Sequence, residues 1–365
     1  MERAPDQFFR RRVVPGGGDS YVRAAARVLA PLVGTTAERL AFTDNATTGV
    51  GAVLAAQKLQ AGDEILLTDH AYNAVRLAIE AACARTGAVA RAVHIPIPLG
   101  EDDTAVRILA GAGPRTKLAI LDHISSPTAL VFPVAEIVRG LRARGVRVLI
   151  DGAHGLGQVP LALDELGADY YTSNAHKWFY APKGTAFLYA RPEASDGLLP
   201  LAISHFNHFG FPQAFDYVGT RDVTGWLALR AAAAFVARHG AEAIMAHNNA
   251  LGLASVKPMR ALGAIPVGPD EMAGAMRAFI LPQRRPATAD DARELMLGAL
   301  WERHRIQVSA SLFQARLLLR VSAQIYADAG DIARLCDVLS REGWPAAEPI
   351  KFVNGAKSCR PREAK

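Results

Sequence analysis

From residue 40 onward, short apolar and β-branched runs alternate with longer stretches of helical periodicity: LAFTD, then a helix to Leu59; EILLTD, then a helix to about Arg85; VARAVHI; KLAILDH; VRVLID; DYYTSN; TAFLYA. Strands interleaved with helices of about ten or more residues satisfy their backbones in a mostly parallel sheet covered on both faces. The expected class is α/β, with ligands outside the carboxyl ends of the strands, where the loops gather. Residues 225–262 are alanine-rich and helical; beyond them the pattern thins to strands near AMRAFILP and ARLLLRVSA, with helices around 289–303 and 328–342. We therefore expect an N-terminal arm over 1–19, a large domain over 20–250, a smaller α+β domain over 251–345, and a disordered basic tail over 346–365. No internal repeat is present.

Half of the 365 residues are apolar, enough for a sizeable core. The net charge of +6 arises from thirty-three arginines and eight lysines spread along the chain. No basic helix or basic-aromatic ladder accompanies them, so a solvated surface is expected and a nucleic-acid partner is not. Arg10, Arg11 and Arg12 stand near Pro15 and a run of three glycines, as in a mobile arm. Cys83, Cys336 and Cys359 have no metal-ligand spacing and leave an odd one over. Neither a disulfide framework nor a metal site is expected, and a reducing, cytoplasmic location is. No apolar run approaches the roughly 18 residues of a membrane span, and the start has no signal-peptide pattern.

Polar groups at the strand ends carry the chemistry. NATTG follows the first strand, and Asn45, Ala46, Thr47, Thr48 and Gly49 open a helix whose free amides suit a phosphate; an ordinary helix cap is the alternative. Tyr72 in DHAYNAV starts the next helix, as packing or as a cofactor contact. In VRVLIDGAHGLGQ, Asp151 closes a buried strand, where a carboxylate needs a partner. A pyridinium nitrogen is one such partner; a metal or a helix cap would be another. Lys177 lies in SNAHKW, in a stretch whose pattern argues for burial, and a buried amine loses its charge and becomes a nucleophile toward aldehydes. A structural salt bridge is the alternative for it. Phosphate cradle, aromatic lid, strand-end aspartate and buried lysine are, in that order, the parts that hold pyridoxal 5′-phosphate.

With DGAHGLGQ and SNAHKW as its strongest motifs, the chain resembles the class V aminotransferase group of fold-type I pyridoxal-phosphate enzymes over about residues 20–343. It looks most like the isopenicillin N epimerase-like branch. The resemblance implies that Lys177 carries the cofactor and moves the α-proton, that Asp151 pairs with the pyridine nitrogen, and that His154 lies near the phenolic oxygen. It further implies that Tyr72 stacks on the ring and that Ala46, Thr47, Asn174 and His176 hold the phosphate. FDYVGTRD matches the family's Gly-Thr-Arg-Asp stretch, so Thr220 is expected to reach the phosphate of a partner subunit in a homodimer with shared sites. Arg320 in LLLRVSAQIY matches the arginine that grips the substrate carboxylate. Two departures stand out. Ser126 in DHISSPTA occupies a position where relatives often have asparagine beside the phenolic oxygen. The chain also begins close to where an earlier glycine-rich segment of its relatives would end, so the pocket is expected to be open or the start to lie upstream.

The implied reaction breaks a bond at Cα of a small-molecule amino acid, with epimerisation or transamination as the main reading. β-Elimination on a cysteine derivative, a C–S lyase activity, and a scaffold dimer of the same fold stay as alternatives. Cysteine-persulfide desulfuration is expected to be absent, since WERHRIQVSASLFQARLLLR contains no thiol ahead of Arg320. Epimerisation needs a second acid or base, and His205, His208 and Tyr217 lie in the segment leading to Thr220. No Gly-rich nucleotide loop follows the first strand.

Overall fold

A computed structural model describes residues 20–100, 104–283 and 286–343. The arm expected over 1–19, the tail expected over 346–365 and Cys359 lie outside the described residues. The seven apolar runs become strands β1 Leu40–Thr43, β2 Glu64–Thr68, β3 Val89–Val93, β4 Thr116–Asp122, β5 Arg147–Asp151, β6 Tyr170–Asn174 and β7 Ala186–Ala190. They form one sheet in the order β1-β7-β6-β5-β4-β2-β3. The stretch β6-β5-β4-β2-β3 is parallel, and β7 runs antiparallel to both its neighbours. The reversal follows from chain length: only residues 175–185 separate β6 from β7, too few for the crossover of a dozen or more residues that a parallel return requires.

Alternation along the strands sends neighbouring residues to opposite faces. Val148 and Ile150 of β5 join one core with Val22, Ile137, Leu141 and Val236, whereas Leu149 joins the other with Val50, Val53, Val75 and Ile79. The helices covering the first face are α1 Tyr21–Leu29, α5 Val134–Arg142 and α7 Leu229–His239; those covering the second are α2 Ala46–Ala56 and α3 Asn73–Thr86. Helix α4 Thr104–Gly111 packs beside α5, the single turn α6 Ala175–Trp178 follows β6, and α8 Ala241–Ala254 follows α7. Residues 250 and 251, where the sequence reading divides the domains, lie inside α8.

The C-terminal sheet is antiparallel, in the order β10-β11-β9-β8: β8 Ile265–Pro266, β9 Met276–Ile280, β10 Ser309–Phe313 and β11 Arg316–Ser322. Strands β9 and β11 are the two apolar runs seen in the sequence. One face packs on α9 Ala329–Arg341 through Phe279, Leu319 and Leu335, while Met276, Ala278, Ile280 and Leu318 join the core of the large sheet.

Strand β11 is tied to the large sheet at both ends. Gln314 and Ala315, at φ 46° and 58°, form the two-residue turn between β10 and β11, a left-handed pair that non-glycine residues adopt at some cost. The Gln314 side chain compensates, donating to Asp69 Oδ2 (2.9 Å) and the Ile95 carbonyl (2.8 Å) and accepting from the Ile97 amide (3.1 Å). Past the other end, buried Gln324 accepts through one oxygen from Tyr180 Oη (2.7 Å) and Asn248 Nδ2 (2.8 Å).

Candidate functional site

The glycine spacing of DGAHGLGQ is set by what packs against it. A Cβ on Gly152 or Gly155 would fall 2.1 or 2.2 Å from the ring and hydroxyl of Tyr171 on neighbouring β6. Gly157 has φ +88°, and a Cβ there would sit 2.4 Å from the Trp178 carbonyl oxygen. The loop after β5 is thus pressed against β6 and α6, which brings Asp151 and His154 to Lys177. Tyr171 is buried and its hydroxyl lies 2.8 Å from His123 Nδ1.

Asp151, His154 and Lys177 wall a cavity of about 500 Å³ at the carboxyl edge of the sheet, with Asn45, Thr47, Tyr72, Asp122, Ser126, Asn174 and His176 also on its lining. Lys177 Nζ lies 3.0 Å from His154 Nε2, and Trp178 Nε1 donates to His154 Nδ1 at 3.1 Å. The expectation that Lys177 is buried is corrected: its side chain is exposed, at the surface of the cavity. The walls still desolvate the amine. That effect comes first, Asp151 and Asp122 oppose it, Arg320 adds to it, and the pKa falls to about 8. Burial, then the charges of Lys177 and Arg320, hold the His154 imidazole well below its ordinary range and therefore neutral.

Asp151 accepts from the Ala153 amide at 3.0 Å. Burial pushes its carboxyl up, while that hydrogen bond and Lys177 pull it down. Beside it stands a residue that the sequence reading passed over. Asp122 ends β4 in register with Asp151, is equally buried, and has its carboxyl pushed well above the ordinary range by burial and then by Asp151. The signal was present in KLAILDH, an aspartate closing an apolar run as in VRVLID.

At the start of α2, Asn45 caps the helix by accepting from the Thr48 amide at 2.9 Å, and the Ala46 amide donates to Asn174 Oδ1 at 2.8 Å. Two of the expected phosphate ligands are thus bound to each other, and Thr47 and His176 stay on the lining. His176 Nδ1 is 2.9 Å from the Thr185 carbonyl. Tyr72 is 47% exposed at the mouth. Arg320 stands behind the lining: its Nη1 donates to the Ser126 carbonyl and, at 3.2 Å, to Ser126 Oγ, and its buried Nε has no hydrogen-bond partner. Thr220 is exposed and off the lining, next to Arg221, which pairs with Asp44 and covers the Trp226 ring. His205, His208 and Tyr217 are likewise off the lining, with His205 stacked on Tyr217. Among the described residues there is no cluster fit for a metal, and no helix is long and apolar enough to cross a membrane.

The family model described as aminotransferase class-V matches residues 20–335. The chain belongs to that family. An isopenicillin N epimerase of Streptomyces clavuligerus is 35% identical over 337 residues, 86% of this chain and 83% of that protein. A "Probable L-cysteine desulfhydrase, chloroplastic" of Arabidopsis thaliana is 30% identical over 379 residues, 94% of this chain and 78% of that one. Among solved structures, a cystine C–S lyase in complex with its reaction product cysteine persulfide superposes with a TM-score of 0.78 at 24% identity, covering 92% of this chain and 88% of that one. The protein is accordingly a fold-type I pyridoxal-phosphate enzyme acting on an amino acid. Its cavity fits that cofactor, offering an amine that can be uncharged, a buried carboxyl at a strand end, and a helix start lined by a threonine.

One expectation is overturned. The missing thiol does not set the chain apart from cysteine desulfurases, because it matches a "Probable cysteine desulfurase" of Mycolicibacterium paratuberculosis at 30% identity over 250 residues, 64% of this chain and 35% of that protein. With the desulfhydrase relatives, that match removes the ground for setting the chain apart from cysteine desulfurases and C–S lyases. The inference failed because persulfide chemistry does not demand a protein thiol: the solved lyase has cysteine persulfide, a small molecule, as its product.

Proposed function

We propose that the protein is a C–S lyase that removes the sulfur substituent of a cysteine-type amino acid by β-elimination. For cysteine itself the balance is cysteine plus water giving pyruvate, ammonia and hydrogen sulfide. The observation that carries this reading is that Lys177 lines the cavity while His205, His208 and Tyr217, the candidates for an epimerase's second acid or base, are off its lining. Elimination needs one base, which takes the α-proton and can return it, whereas epimerisation needs a second on the opposite face. The desulfhydrase relatives support the same choice.

In this reading Lys177 holds the cofactor, Asp151 faces the pyridine nitrogen, His154 the phenolic oxygen and Tyr72 the ring, with Thr47 and His176 at the phosphate and Ala46 and Asn174 shaping the helix start beside it. Pyridoxal phosphate supplies an electron sink for charge developing at Cα. Arg320, with a guanidinium N–H still unpaired, takes the α-carboxylate and, through Ser126, keeps a fixed distance from the cavity. Thr220, exposed on its own chain, completes the site of a second copy. The test is to give the loaded enzyme L-cysteine, L-cystine and a panel of other amino acids while following sulfide, pyruvate, alanine and the D-enantiomers. Sulfide with pyruvate is the expected result. Alanine in place of pyruvate would mark a desulfurase, and D-amino acids without sulfide an epimerase; either would refute the elimination.

A further inference from the structure

The geometry points to Trp178 as the residue that locks His154 in its Nε2–H tautomer, so that this imidazole faces the cavity as a hydrogen-bond donor and not as a base. An indole N–H can only donate. It lies 3.1 Å from His154 Nδ1, which must therefore be the lone-pair nitrogen. A neutral imidazole carries one N–H, and that leaves it on Nε2, 3.0 Å from Lys177 Nζ. Above its pKa of about 8 the amine is uncharged and accepts that N–H. The charged alternative would put an imidazolium N–H against the indole N–H, with Arg320 as a further cation nearby, in a site where His154 and Trp178 are each 6% exposed.

Both side chains are buried, and the backbones that carry them are held in place. The carbonyl of Trp178 is pressed against Gly157, and the His154 carbonyl is held by Gln158 Nε2 at 2.9 Å. Trp178 is thus a positioning residue acting through His154, and it has two consequences. Toward the cofactor, His154 offers an N–H suited to an anionic oxygen. Toward the substrate it offers no lone pair, so proton movement at Cα falls to Lys177. The inference concerns hydrogen bonds within the chain and holds whichever bond the enzyme breaks.

The test is the imidazole ¹⁵N pattern of His154 in the full-length, ¹⁵N-histidine-labelled protein, without and with pyridoxal phosphate, assigned by its loss in His154→Gln. Above pH 8, where Lys177 is uncharged, the wild type should show a protonated Nε2 and a pyridine-like Nδ1. Trp178→Phe should give a mixture of tautomers or the Nδ1–H form. Replacing Trp178 with benzothienylalanine, which keeps the ring shape and exchanges N–H for sulfur, should do the same with the packing intact, so a Phe variant that fails to fold leaves the test standing. An Nδ1–H or doubly protonated His154 in the wild type would overturn the inference, and so would an unchanged Nε2–H pattern in the benzothienyl protein.

Discussion

Lys177 in the cofactor-free protein should be half deprotonated near pH 8. Desolvation by the cavity walls is the main cause, with Arg320 adding to it against the opposing pull of Asp151 and Asp122. At pH 7 a pKa of about 8 leaves roughly one amine in ten uncharged, against roughly one in three thousand at 10.5. The gain in free nucleophile is roughly 300-fold. Brief acetylation with limiting reagent across a pH series, read by peptide mapping, reports the titration of Lys177 itself. Linkage of pyridoxal phosphate to the chain should follow the same curve, rising roughly tenfold per pH unit below the midpoint and levelling above it. Charge removals give the sign. Asp151→Asn removes a group that favours the ammonium, so the midpoint should fall; Arg320→Ala removes one that opposes it, so the midpoint should rise. A midpoint near 10.5, or both variants moving the same way, would refute the account.

Gly155→Ala places a methyl against the Tyr171 hydroxyl and should cost about 1–3 kcal/mol in thermal unfolding; adding Tyr171→Phe should recover part of it, whereas Gly152→Ala, which also meets the ring carbons, should not be rescued. Arg320→Ala and Arg320→Lys should each lower kcat/KM for amino acids by roughly 10², and amines lacking the carboxylate should be unaffected; near-normal kcat/KM in either variant would make this arginine structural only. Mixing Lys177→Ala with Thr220→Ala subunits should restore activity through one intact site per mixed dimer, and no recovery would show that Thr220 serves its own chain or none.

The strands and the chemistry at their ends were legible because a polar residue closing a continuously apolar run stands out. Asp151 was found that way, Lys177 from its apolar surroundings and His154 from the family resemblance, and all three meet at one cavity. Asp122 offered the same signal in KLAILDH and was missed, since no glycine motif follows to mark it. Other features depend on pairing between distant segments. The place of β7 between β1 and β6, the capture of the Ala46 amide by Asn174 and the indole contact to His154 join residues that no local pattern relates. The glycines of DGAHGLGQ were readable as a motif, but their cause is a tyrosine on the next strand. The burial assigned to Lys177 came from its apolar neighbours, which pack inward while the lysine itself turns out to the cavity.

Strand β11, fastened through Gln314 at one end and Gln324 at the other, behaves as a beam built in at both supports. Such a beam carries Arg320 behind the cavity wall, beside Ser126, and resists rotation about its middle. A swing of the small sheet would have to break both fastenings together, at about 1 kcal/mol for each hydrogen bond. The side chains at the mouth, Tyr72 foremost, are free of those fastenings, so movement at the site should fall to them before it reaches the spacing between Arg320 and Lys177.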